Sequence, residues 1–80
     1  MNSEVYKNYL HDLGILLKEM ALKAKVKKQS SFRSEDEAFA TGYLAAFHRV
    51  ISLMQQQAEG FQIPFQDLGL EDIDADEDLI

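Results

Sequence analysis

Eighty residues carrying 14 acidic and eight basic side chains, a net charge of −6 and no cysteine describe one small domain without disulfides or thiolate metal sites. No stretch approaches the roughly 18 uninterrupted apolar residues of a membrane span. The N-terminal MNSEVYKNYL has no basic region followed by an apolar one, so a cytoplasmic protein without a secretory signal is expected.

Taken in order, Ser3 is placed to cap a first helix running from about residue 4 to residue 28. Tyr6, Leu10, Leu13, Leu17 and Met20 follow one another at steps of four, three, four and three, the spacing of a heptad seam. Gly14 interrupts this helix at a cost of about 1 kcal/mol relative to alanine, which is understandable if a neighbouring backbone approaches there. Lys23, Lys25, Lys27 and Lys28 gather at its C-terminal end, where the helix dipole favours cations. The polar stretch QSSFR then makes a connection of the length found in antiparallel helix pairs.

The second helix is the most strongly marked element, expected over about 35–59. Ser34 and Glu37 have the spacing of a capping box, and Glu35, Asp36 and Glu37 put negative charge at the positive end of the dipole. Gly60 offers a left-handed stop, and Pro64 forbids an immediate restart. Between these marks Phe39, Tyr43, Phe47, Val50 and Met54 form an apolar stripe. Ala38, Gly42 and Ala46 form a line of small residues that would let two helices approach closely.

After Gly60, Pro64 and Gly69 bracket a short helical turn at about 64–68 within a segment rich in large apolar residues. The last ten residues hold six acids and are expected to form a solvated, mobile tail. The expected architecture is therefore all-α: a helical hairpin domain over 1–70 with a short third turn, followed by an acidic tail over 71–80. Two such hairpins would pair into a four-helix-bundle homodimer, with the seam and stripe residues at its centre.

The function classes narrow mostly by exclusion. His11 and His48 lack the Glu-x-x-His spacing of helical metal sites, so no metal or other cofactor is expected. Asp72, Asp74 and Asp76 alternate as in the opening of a calcium loop, but Glu77 stands where the sixth-place glycine belongs. No nucleophile elbow, phosphate loop or cysteine nucleophile is present, and an enzyme is not expected.

Charge bears on partners. Residues 1–34 hold seven cations against three acids, whereas residues 35–80 hold only Arg49 against eleven acids. Direct nucleic-acid binding is not expected of a chain that is acidic overall and whose basic cluster lacks interleaved aromatics. The expected role is a small regulator or inhibitor that binds another protein through its acidic C-terminal half. Phe65, Gln66, Leu68, Leu70, Asp72, Asp74 and Asp76 are the candidate contacts, because large apolar residues set among acids suit a docking peptide, the alternative being that residues 61–70 pack on their own hairpin. Within that stretch Gln66, Leu68 and Leu70 resemble the glutamine-leucine peptides that bacterial sliding clamps recognise, with Gly69 where that motif takes an apolar residue. The alternative is a nucleic-acid mimic whose acids occupy the basic groove of a DNA- or RNA-binding protein.

Overall fold

Two long helices dominate the computed structural model, which describes residues 3–80 and contains no strand among them. Helix α1 spans Ser3–Ser30 and α2 spans Glu37–Gly60. A six-residue connection folds α2 back along α1. A 3-10 turn at Phe65–Leu68 and a one-turn helix α3 at Ala75–Asp78 complete the chain. The molecule measures 50 × 20 × 16 Å, the shape of a hairpin with a thin layer laid along one side.

The two helices meet along lines of mostly small or medium side chains. On α1 the line is Leu10, Gly14, Leu17, Ala21 and Ala24; on α2 it is Ala40, Leu44, Phe47, Ile51, Met54 and Ala58. Both run at the four-three alternation of a heptad. Of the side chains expected at the seam, Leu10, Leu13, Leu17, Phe47 and Met54 are half-buried, whereas Tyr6, Met20, Phe39, Tyr43 and Val50 are exposed. Packing follows the narrowness of the gap. Alanines let the backbones approach, and the bulkier residues of neighbouring lines are left on the flank. Ala38, Gly42 and Ala46 are exposed, and nothing lies within 4 Å of a Cβ built on Gly42, so the small-residue line faces away from α1.

The helix ends differ in detail from the sequence expectation. Ser34 accepts from the Asp36 amide at 3.2 Å and donates to the Ser31 carbonyl at 2.7 Å, which stabilises the turn before α2 rather than its first residues. At the other end Gly60 remains helical, and Gln62 takes the left-handed conformation at φ 59°. The Gln62 amide donates to Glu59 and the Ile63 amide to Ala58, the paired bonds of a Schellman motif.

Residues 61–80 form a strap over one side of the hairpin. It comes close to α1 at Gly14, where a Cβ would sit 1.7 Å from the Leu68 carbonyl oxygen. Gly69 ends the 3-10 turn at φ 69° and lies against Ile15 and the His11 carbonyl, so it meets both a left-handed backbone and a crowded site. The strap buries Leu68, Leu70, Ile73, Ala75 and Leu79. The last ten residues, expected as a solvated tail, thus contribute three side chains to the core.

Their acids are also used structurally. Asp74 Oδ1 accepts from the amides of Asp76 and Glu77, and Asp78 Oδ2 accepts from the Asp74 amide at 2.8 Å. This reciprocal cap starts α3 and places Ala75 and Leu79 on its inner side.

Candidate interaction interface

Three side chains from the long helices hold the strap. Gln55 on α2 donates through Nε2 to the carbonyls of Leu70 at 3.2 Å and Ile73 at 3.0 Å, spanning the loop between the 3-10 turn and α3. Lys18 on α1 donates to Asp72 at 2.8 Å, and His48 Nε2 lies 2.9 Å from Asp76 Oδ1. The two histidines therefore serve different neighbours: His48 faces the strap acid, and the His11 backbone lies beside Gly69. Among the described residues no group of three His, Asp or Glu side chains is arranged to hold a metal ion.

Replacing Gln55 by leucine keeps the volume but removes the donor from two carbonyls. Leaving such groups unpaired costs about 1–3 kcal/mol, so thermal unfolding of the variant should fall by several degrees. A midpoint equal to wild type would mean that Gln55 does not hold the loop.

The hydrogen bond from Lys18 is the main cause that holds the Asp72 carboxyl below its usual range. Its contribution is complete above the unfolded carboxylate pKa and is lost as pH falls through the lowered folded value. A Lys18→Met variant should accordingly show a shallower loss of stability in acid than wild type, measured by urea titration at neutral pH and below about pH 4.

Of the candidate docking residues, Gln66, Asp72, Asp74 and Asp76 are exposed, Phe65 is half-buried, and Leu68 and Leu70 are in the core. The glutamine-leucine resemblance therefore falls on a segment whose leucines pack against the chain itself. Outward on this side are five acids, Glu71, Asp72, Asp74, Asp76 and Glu77, with Phe61, Gln62, Gln66 and Ile80 exposed beside them.

Among the described residues, none covers the opposite side of the hairpin. Helical periodicity places Tyr6, Tyr9, Leu13, Leu16 and Met20 of α1 and Phe39, Tyr43, Val50 and Leu53 of α2 on the flanks turned away from the strap. All of these except the half-buried Leu13 are exposed. Phe39, Tyr43 and Phe47 form an aromatic ladder along α2, with ring centroids 5.7 and 5.2 Å apart; the second contact is edge-on. Toward the hairpin turn the two helices part into a groove of about 480 Å³, floored by Met20, Phe39, Ala40 and Tyr43 and edged by Lys23 and Lys27.

A monomer seldom leaves so long an apolar strip in water unless something binds it. Sequence reasoning selected many of these residues, because periodicity marks an apolar face without telling which of two adjacent faces the chain covers itself. No helix among the described residues is long and apolar enough to cross a membrane. The chain matches no known protein family, no curated protein and no solved structure.

Proposed function

We propose that this chain is a small non-enzymatic interaction protein, a regulator or inhibitor that works as a homodimer and binds another protein through its acidic C-terminal half. The observation that carries this reading is the division of the surface: one broad side is apolar and uncovered, and the other presents a folded acidic strap. The apolar side supports permanent association, in which two hairpins complete a four-helix bundle. The acidic side supports selection of a partner with complementary charge, since exposed charges steer encounters and reject like-charged surfaces.

Affinity capture from host lysate with the full chain as bait, at low and moderate salt, tests the partner. A specific protein held by wild type and lost from a Glu71→Gln, Glu77→Gln variant of unchanged helicity is the expected result. Equal retention by that variant contradicts it. Competition of the captured protein by nonspecific DNA would turn the reading toward the nucleic-acid mimic, whose binding should also collapse with salt.

A further inference from the structure

We infer that the occupant of the uncovered face is a second copy lying antiparallel, with the turn end of one hairpin over the open end of the other. This rests on the homodimer reading above and adds its register. Two arrangements bring the bare faces together around a two-fold axis. If the axis runs along the hairpin, turn meets turn and α1 packs on the partner's α2. If the axis crosses the hairpin at mid-length, turn meets open end and each helix packs on its own counterpart.

Area calls for pairing along the whole length. The broad side of the molecule is 50 × 20 Å, and a stable interface takes about 800 Å² from each partner. Both registers meet this requirement, so charge decides between them. Around the turn, residues 23–37 hold five cations against three acids; at the open end, residues 4–7 and 59–67 hold Lys7 against Glu4, Glu59 and Asp67. Turn-to-turn pairing gathers two positive ends, whereas the antiparallel register sets each positive end against a negative one.

The side chains agree with this choice. Antiparallel α1 helices centred near Leu16 bring Lys27 and Lys23 of one copy beside the exposed rings of Tyr6 and Tyr9 in the other, a favourable setting for a cation. Antiparallel α2 helices centred between His48 and Arg49 set Tyr43 beside Met54 and Phe47 beside Val50, which extends the aromatic ladder with sulfur and branched partners. The exposed strap acids lie on the outer sides of the pair and do not confront one another.

The native chain has no cysteine, so single labels are unambiguous. Phe32 is exposed in the turn, and a spin label on Phe32→Cys reads the register by pulsed electron resonance. The antiparallel pair should give a label-to-label distance close to the 50 Å length of the hairpin. A distance well under half that length would overturn the register while leaving the homodimer intact. Absence of any intermolecular distance in a folded sample would overturn both. As a second probe, Leu16→Cys is exposed and sits where the two α1 helices are centred, so it should form an intermolecular disulfide on mild oxidation. Failure to do so in a sample shown to be dimeric also rejects the antiparallel register.

Discussion

Alanine at position 14 should lower the thermal midpoint sharply, although helix propensity alone predicts the reverse. Glycine in a helix interior is about 1 kcal/mol worse than alanine, so an isolated α1 would gain from the change. In the folded chain the new methyl would meet the Leu68 carbonyl oxygen at 1.7 Å, and that atom belongs to backbone. No rotamer relieves the clash; the 3-10 turn has to lift from α1. Overpacking of this kind costs about 1–3 kcal/mol, occasionally more, and lifting the turn also loosens Leu68 and Leu70, both in the core. A net loss of at least about 2 kcal/mol, or roughly 10 °C for a domain of this size, is expected in thermal melts. A variant more stable than wild type would show that the strap does not touch α1 at this point.

Deletion of residues 72–80 is expected to have the second large effect. Acid density alone marks this stretch as solvated, and its removal would then change little. In the structure Ile73 and Leu79 are buried, Leu79 to 1% exposure, and the deletion also removes Ala75 and the Lys18 and His48 contacts. Burying a large aliphatic side chain is worth about 1.5–3 kcal/mol. Losing two should lower the midpoint by well over 10 °C, or leave the hairpin partly unfolded at room temperature. An Ile73→Ser, Leu79→Ser variant of full length separates packing from chain length and should reproduce most of the loss. An unchanged midpoint in both proteins would return the segment to a free tail.

These two results probe places where residue type and structural use diverge. The long helices were legible in the sequence because apolar periodicity over more than twenty residues and charged ends point the same way. Gly14 was legible as a close approach because nothing else justifies a glycine there. The inner face was harder to read. Aromatic residues dominate any hydrophobic pattern, yet the helices meet over Ala21, Ala24, Ala40 and Ala58, and the rings of Phe39 and Tyr43 stay outside.

The last ten residues of the strap were hidden by a similar inversion. Six acids in ten residues read as solvated chain. Two of them, Asp74 and Asp78, satisfy backbone amides of α3, and Asp72 and Asp76 meet Lys18 and His48. Ile73, Ala75 and Leu79 between them are spaced so that one side of the strap turns inward. The local composition describes the outer side of this segment; its inner side is specified by a few residues that only the long helices make meaningful.

The acidic interface candidates are consequently divided. Asp72, Asp74 and Asp76 each hold the strap in place while remaining exposed, so altering them changes fold and charge together. Glu71 and Glu77 are exposed, and no side-chain hydrogen bond of theirs holds the strap, which makes them the cleaner positions for testing partner binding.

Sedimentation equilibrium of the wild-type chain at micromolar concentration, beside a Tyr43→Glu variant, tests the central claim most directly. Tyr43 is exposed in the folded chain, so glutamate there is compatible with the hairpin but places a charge in the middle of the bare face. Wild type at twice the 9.1 kDa chain mass, with the variant folded at the single mass, is the predicted result. A wild-type protein that stays at the single mass with native helicity would contradict it, and the apolar face would then be exposed in the free protein.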